Sequence, residues 1–267
     1  MTMATATLRN FVRSRAGISL GPDKDYLVLS RLEPQLKNWG MPSLDALAGH
    51  LTTNPTGKVA RQVVAALTIN ETLWFRDTKP FELLSKVILP DLTARNGEKS
   101  LSIWSAACST GQELYSVAMT LREEDARLKG WTTSLLGSDI CEPAVDRARA
   151  GVYSQFEVQR GLPIQRLVKY FEQKGQDWVV RKDLREKVAF RVMNLLDLPP
   201  MLGPFDVVFC RNVLIYFEVD VKAKVLAAIA QRMKPQGYLL LGSAETTIGV
   251  SNLFTPVPGS VGLYRRA

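Results

Sequence analysis

The chain has 267 residues, 46% hydrophobic and 22% charged, which suits a globular protein large enough for one big or two unequal domains. No run approaches the ~20 apolar residues of a membrane span, and three scattered cysteines, Cys108, Cys141 and Cys210, fit neither a disulfide framework nor a metal site, so a reducing cytoplasm and no bound metal are expected. The net charge of +8 suggests an acidic partner, whether nucleic acid, protein surface or anionic cofactor, while the single histidine, His50, lies far from the motifs below and argues against a Ser-His-Asp triad.

The first seventy residues read as helices. Residues 1–21 carry three arginines and no acid. That bias resembles a transit peptide, but Leu8, Phe11, Val12 and Arg15 already form a helix flank, and no signal-peptide core is visible. Residues 26–38 place Leu29, Leu32 and Leu36 on one stripe, with Pro34 as a kink. Ser43 is an N-cap for a short helix to Leu51. Val59, Val63, Val64 and Leu67 mark another helix, and 80–92 a further one built on Phe81, Leu84, Ile88 and Leu89. The expected division is a helical domain over 1–69 and a second domain over 70–267, whose first ten residues are a linker.

From Ser100 the pattern alternates. Strands are predicted at 101–104, 134–137, 205–209 and 238–241, with helices at 112–128, at 143–150, and from Val221 through Val225 and Ile229 to Met233, stopped by Pro235-Gln236-Gly237. This rhythm predicts an α/β fold with a mostly parallel, doubly wound sheet. Residues 154–192 break it: 178–180 and 188–192 look like strands of an inserted antiparallel subdomain.

The chemistry sits at strand ends. Residues 105–111, Ser-Ala-Ala-Cys-Ser-Thr-Gly, are small and lead straight into a helix, so backbone can approach a ligand closely. They do not form Gly-x-Gly-x-x-Gly, which disfavours a pyrophosphate cradle. Glu113, in the first helical turn, either complements the helix dipole or faces a cationic ligand. Asp139 ends the second strand, where an acid accepts hydrogen bonds from ribose hydroxyls, or simply makes a turn. Asn194 follows a later strand and can read an adenine edge or serve a turn. Cys210-Arg211-Asn212-Val213-Leu214-Ile215-Tyr216-Phe217 ends a central strand in polar groups. A nucleoside without phosphates, S-adenosyl-L-methionine, suits this set.

Asn70-Glu71-Thr72-x-x-Phe75-Arg76, Ser105-x-x-Cys108-Ser109-Thr110-Gly111-x-Glu113, Asn194-Leu195 and Phe209-Cys210-Arg211-Asn212-Val213-x-Ile215-Tyr216-Phe217 resemble the CheR chemotaxis-receptor methyltransferases over nearly the whole chain. The resemblance implies a class I methyltransferase domain, an N-terminal helical domain and an inserted three-stranded β-subdomain. It implies methyl transfer from S-adenosyl-L-methionine to glutamate side chains on the cytoplasmic domains of chemoreceptors, leaving γ-methyl esters and S-adenosyl-L-homocysteine. By carry-over, Asn70, Thr72, Arg76, Glu113, Asp139, Asn194, Leu195, Arg211 and Asn212 surround the cofactor, and Arg76 and Tyr216 lie nearest the methyl. A glutamate carboxylate is ionised at neutral pH and needs no histidine base.

Two features depart from the family. The hairpin 172–177 is shorter and poorer in glycine than in members that grip a receptor C-terminal pentapeptide, so independence from that tether is expected. The arginine cluster that other members carry on the second helix is thin here, leaving Lys24, Arg31 and Lys37 as docking charges. Two other readings stay open: a methyltransferase acting on nucleic acid, against which no base-flipping Asn/Asp-Pro-Pro-Tyr/Phe motif is found, and a binding module without catalysis. No membrane insertion is expected, and a monomer is the default.

Overall fold

In the computed structural model, which describes residues 3–95 and 97–267, the helical stretch foreseen before Ser100 contains α1 (Met3–Ala16), α2 (Asp25–Leu32), α3 (Leu44–Thr53) and α4 (Lys58–Leu67). Apolar residues three and four apart give each helix a buried stripe: Leu8 and Val12, Val28 and Leu32, Leu47 and Leu51, Val63 and Leu67. Leu29 and Leu36, expected on the α2 stripe, are only half-buried: the buried face of α2 runs through Val28 and Leu32, and Leu36 lies beyond the helix, after the 3-10 turn Glu33–Gln35 that contains Pro34. Ser43 caps α3, its hydroxyl oxygen accepting from the Ala46 N–H at 3.2 Å.

The helix foreseen at 80–92 is α5 (Lys79–Leu83), a π turn (Leu84–Ile88) and α6 (Leu89–Ala94). Pro90 has no N–H to return to the carbonyl four residues back. The ladder widens just before it, and the Leu89 N–H reaches five residues to Leu84 O.

Ten strands follow: β1 (Ser100–Ser105), β2 (Thr132–Asp139), β3 (Val152–Ser154), β4 (Phe171–Lys174), β5 (Asp177–Val180), β6 (Val188–Val192), β7 (Phe205–Cys210), β8 (Met233–Leu241), β9 (Phe254–Pro256) and β10 (Leu263–Arg266). Between them run α7 (Gln112–Glu123), α8 (Glu142–Ala150), α9 (Gln155–Gln159), α10 (Ile164–Tyr170), α11 (Lys182–Arg185) and α12 (Val219–Gln231). The main sheet has the order β6-β2-β1-β7-β8-β10-β9. Its first five strands are parallel, and β10 and β9 add antiparallel pairs at one edge.

Alternate residues of the central strands feed two cores. Ile103, Val207, Phe209 and Leu240 pack with α5–α8 and the small β-subdomain. Trp104, Val208, Cys210, Leu239 and Leu241 pack with α12 and the N-terminal helices. Cover on both faces is what a parallel sheet requires. Among the described residues no helix is long and apolar enough to cross a membrane.

Three expectations need correction. Val188–Val192 is not part of the inserted subdomain; it is β6, pairing in parallel with β2, Gly137 opposite Phe190. The charged stretch before it forms α11, which returns the chain to the main sheet. The separate sheet is β3-β5-β4, so its strands lie within 152–180 rather than 154–192. Met233 opens β8 instead of closing α12: the Phe205 N–H donates to Arg232 O at 2.8 Å and draws that segment into the sheet. Pro235-Gln236-Gly237 is absorbed as a register shift opposite residues 205–207. Finally, α7 ends at Glu123, short of 128.

Candidate active site

Chain order reverses between β1 and β7: β2 and β6 lie on one side, β8 on the other. Ligands bind open α/β sheets at the carboxyl ends of strands flanking such a switch point. A cleft of about 850 Å³, its open mouth included, lies there, and Asn70, Thr72, Arg76, Glu113, Asp139, Asn194, Leu195, Arg211, Asn212 and Tyr216 all line it.

The floor is the turn from β1 into α7. Gly111 has φ +95°, and a Cβ there would stand 2.9 Å from the Ala148 Cβ; only glycine lets the turn pack this closely on α8. The Ser109 N–H donates to Asp139 Oδ2 at 2.8 Å and the Cys141 N–H to Oδ1 at 3.0 Å. Burial pushes the Asp139 pKa up, while N–H donors from Cys141, Ser109 and Ile140 oppose it. Both carboxylate oxygens are therefore fixed in orientation, with some acceptor capacity left over.

Beside it runs a chain of charges. The Ser105 hydroxyl donates to Glu113 Oε1 at 2.8 Å. Arg211 Nη1 donates to Glu113 Oε2 at 2.8 Å, and Nη2 donates to Asp77 Oδ2 at 2.6 Å and Arg76 O at 3.0 Å. The Arg211 side chain is 1% exposed. Glu113, read from sequence as a carboxylate facing a cation, thus already has an arginine partner. With Asp77 on the same arginine, the formal charges of the cluster sum to one negative, so this wall still suits a positively charged ligand group.

Residues 70–78 form the next wall. Trp74 is fully buried, edge-on to Tyr153 and Phe171, and the Phe75 N–H donates to the Ser116 hydroxyl at 3.1 Å. These anchors hold Arg76 at the cleft, where its guanidinium has a single hydrogen-bond partner among the described residues, Glu71 O at 3.0 Å. Of six non-glycine residues with positive φ among those described, Phe75, Asp77, Thr78, Ser109 and Asn212 belong to these walls. Strained backbone concentrated in this way is characteristic of functional sites.

The N-terminal domain closes the cleft. Ala16 and Ile18 line it, the Ser19 N–H donates to Tyr216 O at 2.9 Å, and Asn194 Nδ2 donates to Arg15 O at 2.7 Å. Asn194 Oδ1 accepts from the Leu196 N–H at 3.0 Å. Its side-chain amide, read from sequence as an adenine reader or a turn residue, is therefore also one of the ties between the domains. Tyr216 is half-buried; burial raises its pKa and the nearby Arg76 charge opposes that.

The docking charges fare differently. Lys24 and Lys37 are exposed, Lys24 standing 3.2 Å from Asp23. Arg31 is not a free surface cation: its Nη1 donates to Thr68 O at 2.8 Å, beyond the last turn of α4. Two residues were missed. Ile18 gave no signal because it belongs to the other domain. Glu245, 8% exposed, sits in a Gly-Ser-Ala-Glu loop after β8, and nothing local shows that its carboxylate reaches residues 212–215. Burial drives the Cys108 and Cys210 thiols well above their ordinary pKa, so neither offers a thiolate.

Residues 70–263 match the family model described as CheR methyltransferase, SAM binding domain, and residues 4–68 that described as CheR methyltransferase, all-alpha domain. The chain is 43% identical over 263 residues to chemotaxis protein methyltransferase 1 of Pseudomonas aeruginosa, and 41% identical over 263 residues to chemotaxis protein methyltransferase Cher2 of Pseudomonas putida; each match covers 97% of this chain and 96% of the relative. A chemotaxis protein methyltransferase of Borreliella burgdorferi is 33% identical over 95% of this chain and 91% of its own. The fixed Asp139 carboxylate, the close-approach turn without a pyrophosphate cradle and the charged wall of Glu113, Arg211 and Asp77 fit a phosphate-free nucleoside with an amino-acid tail. The chain belongs to the CheR methyltransferase family, and S-adenosyl-L-methionine is its cofactor.

Proposed function

We propose that this protein methylates glutamate side chains on the cytoplasmic domains of chemoreceptors, as a protein-glutamate O-methyltransferase working in the cytoplasm as a monomer. The observation that carries this reading is the lack of a free base: among the described residues no histidine, lysine or cysteine lines the cleft. Its carboxylates are engaged, Glu113 by Arg211, Asp139 by backbone N–H groups and Glu71 by Arg160 at 3.0 Å. An amine or hydroxyl acceptor needs a proton removed; a carboxylate arrives ionised and nucleophilic.

S-adenosyl-L-methionine, when bound, supplies a methyl group on a sulfonium, and its transfer to the carboxylate leaves S-adenosyl-L-homocysteine and a glutamyl γ-methyl ester. Asp139 takes the ribose hydroxyls. Glu113, Arg211 and Asn212 hold the amino-acid end, with Asn70 and Thr72 closing over it. Asn194 and Leu195 flank the base. Arg76 receives the acceptor carboxylate with its remaining fork donors, and Tyr216 orients it, so alignment supplies most of the acceleration. Lys24 and Lys37 lie on the helical domain as docking charges; Arg31 acts there through the shape of α4's end. The functional division is 1–69 and 70–267. The β4–β5 hairpin turns through only Gly175 and Gln176, which supports independence from a receptor pentapeptide.

Labelled methyl transfer should be followed with receptor cytoplasmic domains that carry or lack the C-terminal pentapeptide. The expected product is alkali-labile label on receptor, at the same initial rate for both forms. Label in RNA, or protein label that survives alkali, would overturn the glutamyl ester. A rate difference beyond about tenfold, or ~1.4 kcal/mol, would overturn the tether-free docking.

A further inference from the structure

We propose that Glu245 is a positioning residue that builds the strand-end loop carrying Arg211, Asn212 and Tyr216. The turn after β8 brings its carboxylate under that loop. Oε2 accepts from the Asn212 and Gly242 N–H groups, each at 2.7 Å, and Oε1 accepts from Val213 at 2.9 Å, Leu214 at 2.7 Å and Ile215 at 3.3 Å. Asn212 has φ +57°. Four successive N–H groups, beginning at the left-handed Asn212 and converging on one carboxylate, form a concave anion site, and here the chain fills it with its own side chain.

The consequence reaches both halves of the reaction. Residues 211 and 212 face the cofactor side of the cleft, whereas Tyr216 ends the 3-10 turn Leu214–Tyr216, whose first N–H groups Glu245 caps. One carboxylate thereby sets the spacing between the cofactor contacts and the acceptor contact. Neutral glutamine cannot replace it. Its amide nitrogen would face at least two N–H donors, whichever way it is turned.

This role for Glu245 rests on the cleft holding the cofactor, not on which protein is methylated. Wild-type binding of S-adenosyl-L-homocysteine by calorimetry is therefore the control; its absence would overturn the cofactor cleft and, with it, the positioning role of Glu245. Glu245→Gln is expected to weaken that binding by about tenfold or more, the effect of losing charge-assisted hydrogen bonds. Turnover at saturating cofactor should fall as well, with KM for the acceptor within about twofold of wild type, because docking surfaces elsewhere are untouched. Gly242→Ala attacks the same contact from the other side: the new Cβ would lie 2.7 Å from Glu245 Oε2 and 2.8 Å from Asn212 Nδ2. It should give the same two losses with the carboxylate intact, and it decides the matter if Glu245→Gln does not fold. A Glu245→Gln protein that melts earlier yet, when folded, binds and turns over like wild type would overturn the proposal, leaving a purely structural glutamate.

Discussion

Arg211→Ala is expected to cost about 3–5 kcal/mol of stability and to abolish measurable binding of S-adenosyl-L-homocysteine, because removing one member of a buried ion pair leaves an uncompensated charge. The Glu113 side chain, 11% exposed, would be left with only the Ser105 hydroxyl as partner. The same substitution frees Arg76 O and the Asp77 carboxylate, so the strained segment 75–78 loses its brace. Arg211→Lys should recover part of the stability and little of the binding, since an ammonium is a point charge and cannot span three acceptors as a planar fork does. Urea denaturation with parallel calorimetry reads both effects. A loss below about 1 kcal/mol, in the range of exposed pairs, would mean the pair does not organise the cleft.

Arg76→Ala should divide the two quantities the other way. Arg76 is half-buried and holds one carbonyl, so stability should change by no more than about 1 kcal/mol. Turnover should fall about a hundredfold, the cost of misplacing a reacting group by roughly 1 Å, while cofactor binding weakens far less. Steady-state kinetics with a receptor cytoplasmic domain provides the readout. Turnover within about threefold of wild type, under 1 kcal/mol in barrier, would remove Arg76 from the acceptor side. Together these variants separate a residue that assembles the cleft from one that acts in it.

Much of this arrangement was legible because it is local. The turn from β1 into α7 announces itself by small residues followed by a helical stripe, and Asp139 and Arg211 stand where apolar strands stop. Ser43 capped its helix because capping needs only three residues of context. What sequence did not reveal depends on residues far apart along the chain. Glu245 and Asn212 are joined across 33 positions, and Arg31 reaches Thr68 across 37. Neither partner carries a pattern that names the other. Met233 falls at helical spacing after Ile229, but pairing with Phe205 makes it a strand residue. Val188–Val192 is apolar and short, so its neighbours, not its composition, decide which sheet it joins.

The resemblance of the motifs to one family located the cleft residues, but the geometry altered their meaning. Glu113 does not stand alone at the cleft; Arg211 is already beside it. Asn194 is the tie to Arg15 as well as a cleft residue. The helical domain is a wall of the cleft through Ala16 and Ile18, so any opening of the joint near Ser19 and Tyr216 would change access to it.

A crystal structure of the complex with S-adenosyl-L-homocysteine tests the central assignment most directly. The nucleoside is expected at the carboxyl ends of β1, β2 and β7, its ribose hydroxyls within about 3 Å of the Asp139 carboxylate and its amino-acid end against Glu113 and Arg211. Ligand seated instead in the neighbouring groove between Arg31, Trp39 and Asp146, or in the cleft with its ribose away from Asp139, would contradict it.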